Sequence, residues 1–165
     1  MVEFLQDNGQ LTDVFAELIG HDGSLKRVIR RCTEAFNYPP NGLSFVIYGN
    51  EGTGKKSLAK LICKHSILSK GILDKDAKIA EYDLSVIDPQ TINQQLQDCI
   101  NANKQNSLCI ILSHFEKISD SLTGYLIRFF EKKQNDRIHF IFLSNERLMI
   151  IFLHLWENIY QLRLN

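Results

Sequence analysis

Nine residues, GNEGTGKKS from Gly49 to Ser57, carry the clearest chemical signal in the chain. Gly49, Gly54 and Lys55 stand at the spacing G-x-x-x-x-G-K, with Gly52 as a third glycine between them. Glycines let the backbone curl so that successive amides point inward, and a helix beginning behind them adds the positive end of its dipole. That combination suits phosphate oxygens, and a lysine directly after the last glycine supplies a point charge for the terminal phosphates. The spacing predicts a phosphate-binding loop for a nucleoside triphosphate, built from Gly49, Asn50, Glu51, Gly52, Thr53, Gly54, Lys55, Lys56 and Ser57.

The rest of the expected chemistry is altered. Lys56 stands where a Ser or Thr hydroxyl would ligate Mg²⁺, and an ammonium cannot ligate a cation. Ser57 is one helical step further, a rotation of about 100°, which turns it away from the metal position. No metal site is expected, and nucleotide binding should depend only weakly on Mg²⁺. An acidic pair should end a later apolar strand, one carboxylate for the metal and one to activate water. The strand LCIIL is present but ends in Ser113 and His114. Serine cannot replace a carboxylate there, whereas histidine can accept a proton. Glu116 and Asp120 follow, and they read as solvated loop carboxylates, with recruitment to the site as the alternative. Asn145 ends the next apolar strand, where ligands of parallel sheets collect, and it either meets a γ-phosphate or its water or caps a turn. Glu116 and Asn145 are thus the candidates for catalysis.

Such a loop means little unless a strand feeds it and a helix leaves it. LSFVIYG precedes it as a compact apolar run, and Leu58, Leu61, Ile62 and His65 recur at helical spacing behind it. The alternation continues with AKIAEYDLS as strand, DPQTINQQLQDCINANK as helix, SLCIILSH as strand, SDSLTGYLIRFFEKK as helix and RIHFIFLSN as strand. RLMIIFLHLW reads as a last helix before the strand NIYQLRLN. Upstream, LTDVFAELIG and DGSLKRVIRRCTEAFNY read as helices, ended by YPPNG. Five strands separated by helices predict an α/β fold with a parallel sheet whose apolar strands are buried on both faces.

Composition narrows the remaining classes. The 165 residues suit one domain, 1–165, and 44% hydrophobic with 23% charged residues is ordinary for a globular chain. Nineteen basic residues balance nineteen acidic ones, so there is no electrostatic footprint for nucleic acid. Cys32, Cys63, Cys99 and Cys109 are scattered without metal-ligand spacing and read as reduced thiols. MVEFLQDNGQ is not a secretory leader, and LMIIFLHLW falls short of the roughly 18 apolar residues of a membrane helix. A cytoplasmic protein without membrane contact is expected.

Loop, LCIIL strand with FEKIS, and FIFLSN resemble, in order and distance, the Walker A, Walker B and sensor 1 segments of the ATPases associated with diverse activities (AAA+). The resemblance covers nearly the whole chain. It implies a RecA-like P-loop core, a three-layer α-β-α sandwich with a five-stranded parallel sheet of order 5-1-4-3-2. It also implies ATP or ADP as ligand, adenine held near Leu18, Ile19 and Gly20, and assembly into homo- or hetero-oligomers of AAA+ subunits. LIGHDGSLKRVIRRCTEAFNYPPNGLSFVIYGNEGTGKKSLAKLI, followed by GILDKDAKIAEYDLS, is similar to bacterial sigma-54-dependent regulators of the levanase-operon type. Nothing like their GAFTGA loop lies between Tyr82 and Cys109, so contact with RNA polymerase is not expected. Their arginine fingers are also missing, since Phe152 to Asn158 contains no arginine. The resemblance implies a degenerate ATPase domain with weak or lost hydrolysis. Two alternatives stand beside it: a working ATPase using Ser57 and Glu116 as displaced ligands, and a structural subunit similar to the delta-prime subunit of clamp loaders.

Overall fold

The computed structural model describes residues 30, 33–34, 36–37, 44–132, 137–146 and 160–163. Along the chain run β1 (Ser44–Tyr48), α1 (Lys55–Leu68), β2 (Lys78–Asp83), α2 (Ile92–Ala102), β3 (Leu108–Ser113), a 3-10 turn (Phe115–Lys117), α3 (Asp120–Glu131), β4 (Ile138–Ser144) and β5 (Tyr160–Arg163). Strands and helices alternate as the apolar periodicities predict. The predicted helices at 11–20 and 147–156 lie outside the described residues, as does most of the one at 22–38, of which Arg30, Thr33, Glu34 and Phe36 are helical.

β1, β4, β3 and β2 form the body of the sheet in the order 1-4-3-2, every ladder parallel. On the other side of β1 the four residues of β5 pair with it, also parallel. In-register pairs align the strand ends: Tyr48 lies beside Ser144, and Asp83 beside Ser113. The carboxyl ends of β1, β2, β3 and β4 therefore share one edge, where the loop after β1 also begins.

Strand alternation builds two cores. Phe45, Ile47, Cys109, Ile111, Ile141 and Leu143 face α1 and pack with Leu58, Leu61, Ile62 and Cys63. Val46, Leu108, Ile110, Leu112, Phe140 and Phe142 face the opposite side, against Leu96 and Ile100 of α2 and Leu122 and Leu126 of α3. Helices cover both faces, as near-continuous apolar strands require. β2 departs from the expectation of two-sided burial: Lys78, Ile79 and Glu81 are exposed. Among the described residues only β3 flanks β2, which makes β2 the edge strand there, and its AEYD segment is polar enough to face water.

Within the α1 layer, Cys63 and Cys109 meet with their sulfurs 3.5 Å apart, both buried and both free thiols. The contact with Cys63, and then burial, push the Cys109 thiol well above the ordinary cysteine range. No helix among the described residues is long and apolar enough to cross a membrane.

Candidate phosphate-binding site

The loop leaves β1 pinned to its neighbour, because the Gly49 amide donates to the carbonyl of Ser144 at the end of β4 (3.1 Å). Gly52 and Gly54 both take left-handed backbone angles, φ 78° and 86°, which explains glycine at those two positions. A Cβ at either would meet nothing within 4 Å, so both backbones border open space. The Thr53 hydroxyl closes the turn on the Asn50 carbonyl at 2.8 Å. α1 then starts at Lys55 with neither a side-chain cap nor an acidic residue in its first turn. Its first amides are without intrahelical partners and form an anion-attracting end.

Lys55 Nζ donates to the carbonyls of Gly49 (2.9 Å) and Asn50 (2.7 Å), so the ammonium rests on the loop it is expected to serve. Partial burial lowers its pKa, while the negative charges of Glu116 and Glu51 work the other way. The loop, the lysine and the uncapped helix fit a polyphosphate chain.

They do not fit a magnesium ion. Lys56 Nζ reaches Glu81 Oε2 on β2 (3.2 Å), and Lys60 holds the other oxygen at 3.0 Å. Burial works against the Glu81 charge, but these two ammoniums outweigh it and hold the carboxyl below its usual range. Ser57 is exposed on the helix. Ser113 ends β3 where a carboxylate would be needed, and no group of three or more His, Cys, Asp or Glu among the described residues is placed to hold a metal.

At the ends of β3 and β4 one expectation changes. Glu116, read from sequence as a solvated carboxylate, is half-buried, and its Oε2 accepts the backbone amide of Asn145 at 3.1 Å. Phe115 is the cause. Its ring is fully buried, 4.4 Å from the Phe142 ring centroid, and this folds the 3-10 turn back toward β4. The Glu116 charge thereby reaches Lys55. Asp120 keeps the solvated role: it is exposed in the first turn of α3, behind Ser119, whose hydroxyl caps the Leu122 amide at 3.1 Å. Asn145 is half-buried beside the site, engaged through its backbone amide. Leu18, Ile19 and Gly20 lie outside the described residues.

Asp83 escaped the sequence reading. It ends β2, and its Oδ1 lies 2.8 Å from His114 Nδ1. The same oxygen accepts the Ser85 hydroxyl (2.6 Å) and amide (2.9 Å). Burial opposes its charge, but the Ser85 donors and His114 hold the carboxyl below its usual range. His114 itself has φ 53°, an uncommon backbone angle for a side-chain-bearing residue. Parallel pairing of β2 with β3, invisible in local sequence, is what brings these two residues together.

A PCH-2 structure from C. elegans superposes on 93% of the chain with a TM-score of 0.65 at 16% identity. The Aeropyrum pernix ORC2 protein, solved as ADPNP–ADP complexes, superposes on 92% with a TM-score of 0.57 at 18% identity. The chain has the fold of an AAA+ ATPase core. It spans 46% and 50% of those two AAA+ chains. In sequence, 52 residues are 42% identical to the transcriptional regulatory protein LevR of Bacillus subtilis (strain 168), covering 32% of this chain and 6% of LevR. No protein-family profile matches the chain.

Proposed function

We propose that this AAA+ fold is a nucleotide-binding domain of a sigma-54-type transcriptional regulator, cytoplasmic, which takes ATP or ADP on the Gly49–Ser57 loop and hydrolyses it weakly. The observation carrying the nucleotide reading is the loop itself. Two left-handed glycines open onto free space, the helix behind them is uncapped, and the Lys55 ammonium rests on the carbonyls of Gly49 and Asn50. The 52-residue likeness to LevR supports the regulator class. Lys56 engaged with Glu81, and Ser113 in place of a carboxylate, support weak turnover and weak dependence on Mg²⁺.

Assembly with other AAA+ subunits belongs to this reading, without RNA polymerase contact through a GAFTGA loop and without nucleic-acid binding by this domain. A second reading on the same fold is a structural subunit similar to the delta-prime subunit of clamp loaders. Calorimetric titration with ATP and ADP, with and without Mg²⁺, tests the common core of both. Saturable binding that Lys55→Ala weakens about ten- to a hundredfold supports it; absence of binding under all four conditions defeats it. A full-length gene carrying a helix-turn-helix beside sugar-transport genes favours the regulator over the structural subunit.

A further inference from the structure

We propose that His114, oriented by Asp83, accepts the proton when water attacks the terminal phosphate of a nucleotide held on the Gly49–Ser57 loop. This rests on the nucleotide-binding reading above and assigns the residue pair behind its slow turnover.

Placement is the first ground. Glu81 and Asp83 are two residues apart on β2 and so share one sheet face. Tyr82, between them, packs into the α2–α3 core, which leaves Asp83 on the α1 side with the loop. One ion pair and one longer-range charge interaction bracket the pair: Lys56 reaches Glu81 two residues before Asp83, and Lys55 feels the charge of Glu116, two residues after His114. Both lysines belong to the phosphate loop.

Tautomer is the second ground. Asp83 Oδ1 already accepts a fixed donor, the Ser85 amide, and an ionised carboxylate can only accept. The imidazole must therefore supply the hydrogen from Nδ1, which leaves the lone pair of neutral His114 on Nε2. An imidazole held by a carboxylate in that tautomer is a general base. In the step, the water oxygen forms a bond to the terminal phosphorus and the bond to the leaving diphosphate oxygen breaks. The water proton passes to Nε2, while Nδ1–H remains donated to Asp83. Redox partners and metal ions take no part in this balance.

His114 also offers a clean test. Its φ of 53° suits glycine, so His114→Gly removes the ring without backbone strain and leaves a space that free imidazole fills. Phosphate release by the 165-residue chain is expected to fall about 100-fold or more in His114→Gly, at the lower end of general-base effects, with ATP affinity by calorimetry retained. Added imidazole restores release. Asp83→Asn lowers kcat and leaves KM in place. Without nucleotide, ¹⁵N NMR of the wild type, assigned by the signal lost in His114→Gly, shows the Nδ1–H tautomer. ATP binding with no release in the wild type overturns the base and leaves the binding reading standing; no ATP binding overturns both. Wild-type release rates in His114→Gly, no imidazole rescue of the folded variant, or an Nε2–H tautomer each overturn the proposal. A pair that merely clasps two strand ends gives no imidazole rescue.

Discussion

The carboxylate of Glu116 accepts the backbone amide of Asn145 at 3.1 Å, so one side chain ties the turn after β3 to the end of β4. Because its charge also faces Lys55, it competes with any incoming phosphate for that ammonium. Glu116→Gln keeps an acceptor for Asn145 and removes the charge. ATP affinity, measured by calorimetry, is expected to rise about two- to tenfold, the effect of removing a screened like charge from a partly buried site.

Lys55→Ala should act in the opposite sense. A charge-assisted hydrogen bond contributes about 1.5–3 kcal/mol, so affinity should drop about ten- to a hundredfold. Circular dichroism should show an intact fold, since the hydrogen bonds that Lys55 donates, to the carbonyls of Gly49 (2.9 Å) and Asn50 (2.7 Å), lie within the loop and not in either core. Unchanged affinity would mean that the loop is not where nucleotide sits.

Lys56→Thr puts a hydroxyl at the first turn of α1 and releases Glu81 from one of its two ammoniums. In the wild type, ATP titrations with and without Mg²⁺ are expected to differ little. In the variant, Mg²⁺ should strengthen binding, because a hydroxyl ligates a divalent ion and an ammonium repels it.

Acid should unfold the protein through identifiable carboxylates. Asp74 is held below the ordinary 3.8 first by the Ser107 amide, which donates to Oδ2 at 3.1 Å. Burial opposes the charge at Asp83 and Glu81, yet donor and lysine contacts keep them below their ordinary 3.8 and 4.5. Each favours the folded state while ionised. Their contribution is complete above the unfolded-state values and disappears as pH falls through the lower folded-state ones. The thermal midpoint should therefore be flat in this respect above about pH 5 and fall below about pH 4, with a shallower fall in Asp74→Asn.

Phe140 tests the α2–α3 core. Its ring lies 5.4, 5.5 and 5.7 Å from those of Phe129, Phe130 and Phe142, and it is fully buried. Phe140→Ala should destabilise by about 3–5 kcal/mol in chemical denaturation, since neighbouring rings cannot collapse into the space it leaves.

Much of this architecture was legible because local signals agreed. An apolar run, glycines at fixed spacing and a 3.6-residue apolar repeat located β1, the loop and α1, and the segment SDSLTGYLIRFFEKK located α3. The site's other half depended on partners distant in sequence. Glu116 looks like any loop carboxylate until the burial of Phe115 aims it at Asn145. Asp83 is 31 residues from His114, and only the β2–β3 register joins them. The exposure of β2 was missed for a related reason, because alternation reveals a strand but not whether a neighbour covers it.

The meeting of Cys63 and Cys109 turns the layer behind the loop into a natural reporter. Both sulfurs are sealed where the helix that begins at the loop lies on the sheet. A thiol reagent can modify either of them only after that helix has lifted away. Their labelling rate is thus a clock for how often the floor beneath the phosphate cradle opens, readable without introducing a cysteine.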